Sequence, residues 1–368
     1  MRNQSQQVTL DSFFSSLSDD GDWQRLVSDR GFAKARDHLA WGALERLNTF
    51  VVERADALGL VPRWRGLRVV AADASVLMPA VRPCLTRRRL ASPDQRLFTL
   101  YLPSAELTLH ASVHGASVSE RQMLFEALEY LGPDDLLVLD RGYPATWLVA
   151  YLTEKKIRFC MRCDKNNGWT AMRALICSGQ AEAVVTLKKP SRQDAADYLC
   201  EGDPPQVRLV RMVTPDGQIR VVATNLTAHD FPAEVFGDLY HQRWRIEESY
   251  KRLKHRAKLE SVSGLTQHAL QVDVYAKVLA DNLGSLVCLG ASEEADLSSR
   301  QRNCNRAYAT PCLQRLLPRM VMGLGCIVAL LEKAFGLLGA NSHQRVPERS
   351  QPRPKRHVKP HPNMAYKG

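Results

Sequence analysis

Three carboxylates in this 368-residue chain stand where apolar runs end or where a basic stretch turns. Asp73 closes the run 67–72, Asp140 closes the run 136–139, and Glu247 lies inside the charged stretch 232–259. Short apolar runs bounded by turn residues read as buried strands, so a side chain just past such a run is held at the end of a sheet. Carboxylates presented in this way suit hard divalent cations, which take oxygen ligands from several directions. Two such ions about 3.5–4 Å apart serve the attacking and leaving oxygens of an in-line phosphoryl displacement. Each acid alone has an ordinary explanation, because an Asp after a strand forms turns and a Glu in a charged helix faces water.

The spacing around Glu247 carries more information. Tyr240, Arg243, Glu247 and Lys254 are separated by three, four and seven residues, which at 3.6 residues per turn puts them on one helical face. That face combines a metal-ligating acid with two cations able to answer a phosphate, Arg243 through a planar fork and Lys254 as a point charge, while Tyr240 is placed to bond a phosphate oxygen. The competing explanation is a solvated helix laced by the pairs Arg243–Glu247 and Glu247–Lys251, both at the i,i+4 spacing. Glu248 lies about 100° further round the helix and is the second choice as ligand.

Several elements must hold these residues. After strand 67–72 come strand candidates 97–102 and 106–113, a helix over 119–131 opened by Ser119 as cap and Glu120 in an acidic first turn and ended by Gly132-Pro133, strand 136–139, a helix over 144–155 and strand 157–161. Short strands follow at 183–187, 206–213 and 219–223, with Pro215-Asp216-Gly217 as a hairpin turn, and then one long helix over 232–259. Helical periodicity occupies the first 60 residues and roughly 267–340. The run 320–331, at twelve residues, is too short for a membrane span and reads as a buried helix.

Composition sets the broad class. Fifty Lys and Arg against 39 Asp and Glu give a net charge of +11, which favours a polyanionic partner. Residues 341–368 hold seven Lys or Arg against Glu348 alone and read as a basic disordered tail. No export signal opens the sequence, so the expected location is the cytoplasm, and the nine cysteines read as reduced thiols. Cys160 and Cys163 form a CxxC inside a strand with no second pair, and His229, His241 and His255 lack ligand spacing, so no zinc site is expected.

The interval pattern Tyr240, Arg243, Glu247, Lys254 resembles the Tyr-Arg-Glu-Lys signature of the DDE transposases of bacterial insertion sequences, specifically insertion sequence family four. Asp140-Arg141-Gly142-Tyr143 is similar to that family's second-carboxylate motif and Ala72-Asp73-Ala74-Ser75 to its first, with Ala74 where members often have Gly. Thr224-Asn225-Leu226, Asn282-Leu283 and the segment 30–36 are similar as well. The resemblance implies an α/β fold: a ribonuclease-H-like catalytic core over 63–163 and 231–262, a β-rich insertion over 164–230, a helical N-terminal region 1–62, a C-terminal helical region 263–340 and the tail 341–368. It implies that Asp73, Asp140 and Glu247 are catalytic and hold Mg²⁺ or Mn²⁺, two ions per site, while Tyr240, Arg243, Lys254 and Arg141 contact DNA. The implied partners are double-stranded DNA, as transposon ends and target, and a second copy of the chain in a homodimer on paired ends, with no membrane.

Two other functions fit parts of this pattern. A structure-specific nuclease of the same fold would use the same acids, and strand-transfer products separate it from a transposase. A non-catalytic DNA-binding relative would need only the basic stretch, where His241 to Lys258 holds seven Lys or Arg against two Glu. Retention of all three acids speaks against that reading.

Overall fold

A computed structural model describes residues 5–18, 23–78, 95–163, 169–200, 203–214, 217–264 and 266–345. It divides into two compact units. One comprises 56–76 and 96–250, and the other the described residues of 1–55, 77–95 and 251–368.

The fold is mixed α/β around a large mixed sheet of eight strands: β1 Arg68–Leu77, β2 Gln95–Leu102, β3 Leu107–Gly115, β4 Asp135–Leu139, β5 Arg158–Cys163, β6 Glu182–Thr186, β7 Gln206–Val213 and β8 Ile219–Thr224. Their order is β3-β2-β1-β4-β5-β8-β7-β6. β1, β4 and β5 run parallel, and β5, β8, β7 and β6 are antiparallel neighbours. β4 is buried along its whole length, which is why Leu136 to Leu139 form an unbroken apolar run rather than an alternating one.

Helices cover the crossovers. α4 Glu120–Ala127 and the 3₁₀ turn Leu128–Tyr130 link β3 to β4, and α5 Thr146–Glu154 links β4 to β5. Ser119 starts α4 by accepting from the Gln122 N–H at 3.2 Å, so the sequence-predicted cap is present. Arg68 at the start of β1 meets Asp135 through two bonds of 2.5 and 2.8 Å and Asp56 at 3.0 Å, pinning β1 to β4 at the end away from Asp73 and Asp140. Thr224 and Asn225 lock β8 onto β5: Thr224 Oγ1 donates to the Phe159 carbonyl, and the Asn225 side chain both accepts from Phe159 N and donates to the Ile157 carbonyl.

The span 164–230 adds three strands to the same sheet and also carries two helices, α6 Thr170–Ser178 and α7 Arg192–Asp197. In α6 Met172 and Leu175, three residues apart, are the buried pair, a helical spacing too short to outweigh the surrounding strand signals. Pro215 and Asp216, central to the predicted hairpin turn, lie outside the described residues, though β7 and β8 pair antiparallel on either side, with Val213 opposite Ile219.

The other unit is helical in its described parts. It holds α1 Gln6–Leu17, α2 Asp29–His38, most of α3 Trp41–Ala57, α10 Gln267–Glu294, α11 Arg306–Val321 and α12 Ile327–Ala340. Asn282 on α10 is fully buried and donates to Asn48 Oδ1 at 2.7 Å. By length and composition α10 could cross a membrane, but half of its most apolar stretch is buried inside the protein, as in a core helix.

The run 320–331, read from sequence as a buried helix, is instead broken between α11 and α12. Gly323 and Gly325 adopt positive φ there, and Val321, Met322, Ile327 and Val328 are exposed. The two glycines supply a left-handed turn that a helix cannot continue through. Of the predicted tail, residues 341–345 are described, with His343–Gln344 pairing antiparallel to Arg302–Asn303, while 346–368 lie outside the described residues.

Candidate active site

The register of β1 against β4 assembles the first two acids. Arg68 lies opposite Asp135 and Ala71 opposite Val138, so the same offset carried two residues further sets Asp73 beside Asp140. Adjacent strands lie about 4.8 Å apart, and positions in register project to the same face. Each Asp binds backbone with one oxygen: Asp73 Oδ1 accepts from Ala74 N at 2.9 Å, and Asp140 Oδ1 from Gly142 N at 2.7 Å. A Cβ at residue 142 would lie only 3.0 Å from Asp140 Oδ1, so glycine is needed for this close approach.

Glu247 arrives on a helical path that is not the single helix expected over 232–259. After a short 3₁₀ turn come α8 Phe236–Gln242, α9 Arg245–Lys251 and a π-helical turn Arg252–Arg256. Between α8 and α9 the chain tightens, with Trp244, Ile246 and Glu247 each donating to the carbonyl three residues back. Within this turn Tyr240, Arg243 and Glu247 stay together. The Arg243 guanidinium packs over the Tyr240 ring at 5.6 Å, and its Nη2 lies 3.3 Å from Glu247 Oε1. Glu248 is exposed. Lys254 falls in the π-helical turn and in the other unit, where it faces Glu260 at 3.7 Å. Contacts of Arg243 keep Tyr240, Arg243 and Glu247 together, while Lys254 lies in a π-helical turn, where the 3.6-residue spacing no longer applies.

Arg243 is the shared cation of the site. It is buried, bonds Glu247, and acts on Asp73 and Asp140. Burial opposes its charge, but Tyr240, Asp73 and Asp140 more than answer it, and its pKa rises. Asp73 shows the reverse balance. Burial, reinforced by Asp140 and Glu120, overcomes the pull of Arg243 and pushes its carboxyl up to about 7.

Sequence reasoning missed four residues that the fold brings here. Tyr250, three residues after Glu247, donates its hydroxyl to the Asp73 carbonyl at 2.6 Å and lies 2.9 Å from the Thr99 hydroxyl. It therefore fixes the backbone that presents Asp73. The hydroxyl of Tyr143 is fully buried without a hydrogen-bond partner, and the charges acting on it include Asp73, Glu120 and Asp140. Glu120, read from sequence only as the acidic first turn of a helix, lies among these acids. Arg162 acts on Tyr240 and, with Arg141 and Arg220, lines a cavity of about 440 Å³. Tyr250 had a signal in its i,i+3 spacing from Glu247, and Tyr143 in its place within the motif Asp140-Arg141-Gly142-Tyr143.

The donor set suits a hard divalent cation, with oxygen ligands only, an acid raised by burial and by its acidic neighbours, and an orphaned buried hydroxyl on which those acids act. In the present arrangement, no three His, Cys, Asp or Glu side chains among the described residues are gathered closely enough to hold an ion. Cys160 and Cys163 are buried free thiols whose pKa values burial raises.

These features define an α/β protein with two acids on adjacent parallel strands, Asp73 inside β1 and Asp140 just past β4, flanked by a helical turn that carries Arg243. Residues 84–283 match the family described as Transposase DDE domain, and the chain belongs to that family. It is 26% identical over 241 residues to transposase InsG for insertion sequence element IS4 of Escherichia coli strain K12, covering 62% of this chain and 53% of that protein. The chain thus spans about half the length of the curated relative it matches. A cryo-EM structure of the piggyBac transposase synaptic complex with hairpin DNA matches with a TM-score of 0.40 and 7% identity, over 77% of this chain and 59% of that one.

Proposed function

We propose that this chain is a transposase of the IS4 group that cleaves DNA strands at the ends of an insertion sequence and joins them to target DNA. The observation that carries the proposal is the parallel register of β1 on β4, which continued two residues brings Asp73 level with Asp140, together with a turn that holds Tyr240, Arg243 and Glu247 close to one another. The strand order β3-β2-β1-β4-β5, with β1, β4 and β5 parallel, supports a ribonuclease-H-like core, and β6 to β8 with α6 and α7 support reading 164–230 as its insertion.

Asp73, Asp140 and Glu247 would hold Mg²⁺ or Mn²⁺, two ions per site, which when bound activate water and stabilise the leaving oxygen. The remaining work belongs to the chain's own residues. Arg243 and Tyr240 bind the phosphate flanking the scissile bond, with the Arg243 fork supplying charge that Glu247 shares in the free protein. Arg141 and Arg162, lining their cavity near Asp140, hold the strand's next phosphates. Tyr250 keeps Asp73 presented. The partners are the transposon ends and target DNA, engaged by a homodimer in the cytoplasm. The test is incubation of the full chain with a labelled duplex carrying its own flanking sequence, a target plasmid and Mg²⁺. Cut ends joined to the plasmid support a transposase, cut DNA without joining indicates a nuclease, and binding without cleavage indicates a DNA-binding relative.

Two further outcomes follow. Arg243→Lys and Lys254→Ala should each lower end binding or cleavage roughly tenfold or more, the cost of a charge-assisted phosphate contact. Exposed Arg256 should change them about twofold when replaced by Ala, as expected for a single screened surface charge. Equal losses at all three positions would remove the case for specific phosphate contacts at Arg243 and Lys254.

Deleting residues 346–368, which carry six Lys or Arg against Glu348, should weaken DNA binding and flatten its dependence on salt while leaving cleavage intact. The cut leaves the Arg302–Asn303 pairing whole. Unchanged affinity and unchanged salt slope would make the segment a passive extension.

A further inference from the structure

Glu120 opens α4, 20 residues before Asp140, and the fold turns its carboxylate onto the loop that follows β4. The Cβ position of Gly142 lies 3.0 Å from Asp140 Oδ1 and 3.7 Å from Glu120 Oε2, so one glycine is flanked by both acids. The next residue, Arg121, fastens α4 to that loop by donating to the carbonyls of Gly142 and Pro144, each at 3.1 Å. The juxtaposition is therefore supported by the Arg121 side chain on the loop backbone and does not depend on the acids attracting any partner.

Local stability does not account for Glu120. A Glu in the first helical turn gains about 0.3–1 kcal/mol from the helix dipole. Its ion-pair partner, Arg96, stands 3.8 Å away at the limit of such a pair, and both side chains are about one-third exposed. Against that weak support, Asp140 opposes its charge and it opposes that of Asp73. An independent observation comes from Tyr143, whose fully buried hydroxyl has no hydrogen-bond partner although Asp73, Glu120 and Asp140 act on it. A buried hydroxyl left unpaired costs roughly 1–3 kcal/mol. A cation carrying a water beside these acids would satisfy the hydroxyl and relieve the repulsion together.

We propose that Glu120 is a further carboxylate of the divalent-cation site, acting with Asp140 across Gly142. The inference rests on the reading of Asp73, Asp140 and Glu247 as metal ligands. It assigns Glu120 as a ligand directly or through a bound water, and excludes a purely structural role at the start of α4.

The test is titration of the full chain with Mn²⁺, read by the electron paramagnetic resonance of free Mn²⁺ and by the metal-induced rise in Tm. Glu120→Gln should weaken apparent Mn²⁺ binding about tenfold or more, the scale on which groups supporting a metal act, with a metal-free Tm equal to or above that of the parent. Glu126→Gln, on the exposed side of the same helix, should bind as the parent does. Glu120→Asp keeps the charge but withdraws it by one methylene, and should weaken Mn²⁺ binding with an unchanged metal-free Tm, which guards against misfolding of the Gln variant. Parent-like Mn²⁺ binding by Glu120→Gln alongside weakened binding by Asp140→Asn overturns this inference alone. Parent-like binding by both variants overturns the metal-site reading as well.

Discussion

Asp73→Asn, Asp140→Asn and Glu247→Gln are each expected to reduce Mg²⁺-dependent strand cleavage at least about a thousandfold, while Glu248→Gln retains substantial activity. Phosphoryl transfer leaves the protein little to do beyond positioning and charge stabilisation. An amide matches a carboxylate in shape but is a poor ligand for a hard cation, so loss of one acid removes about 4 kcal/mol or more of barrier lowering. DNA affinity should stay within a few fold of the parent, because it rests on many Lys and Arg contacts and removal of a negative charge does not oppose it. The measurement is cleavage of a labelled end-containing duplex beside a binding titration and a melt for each variant. Near-normal cleavage by any of the three removes that residue from the site, and a dead Glu248→Gln with an active Glu247→Gln moves the assignment by one residue.

The second large effect is on stability. The folded Asp73 carboxyl titrates at about 7, raised from 3.8 by burial and by Asp140 and Glu120, despite Arg243. Between these values the folded chain binds more protons than the unfolded one, so folding is favoured at the acid end and loses stability as pH rises. At about 1.4 kcal/mol per unit, the penalty is absent near pH 4 and reaches at most about 4 kcal/mol above pH 7. Metal-free Asp73→Asn should therefore melt well above the parent at pH 8 and level with it at pH 4, and Mn²⁺ should raise the Tm of the parent at pH 8 far more than that of the variant. If the two proteins melt together at pH 8 without metal, Asp73 is not held against its charge. The same substitution that abolishes cleavage would then stabilise the chain, the usual relation where function demands a strained group.

Much of the fold was legible because it is written in short-range pattern. Apolar runs bounded by turn residues located every strand of the sheet to within a few residues, and Ser119, a capping residue followed by an acidic first turn, marked the start of α4. The long helix was less legible. Its tightened turn near Arg243 and its π turn at Arg252–Arg256 leave no signature in residue types, since both depend on what the helix packs against. The exposed edges of the run 320–331 were hidden for a related reason, as apolar content reports what a residue prefers and not whether a neighbour covers it.

For the candidate site the division follows sequence distance. By itself the sequence determined that Tyr240, Arg243 and Glu247 lie together, because seven residues of helix close about two turns whatever surrounds them. It also determined that Asp140 follows a buried strand, whereas Asp73, read as closing the strand 67–72, lies inside β1, which continues to Leu77. That these two strands are parallel neighbours in a register that sets Asp73 beside Asp140 was decided only by the tertiary structure. So were the arrival of Glu120 against Asp140, the bond from Tyr250 to the Asp73 carbonyl and the unpaired hydroxyl of Tyr143 among the acids. Register belongs to a pair of strands and burial to a whole core, so neither is encoded in the few neighbouring residues from which local pattern is read.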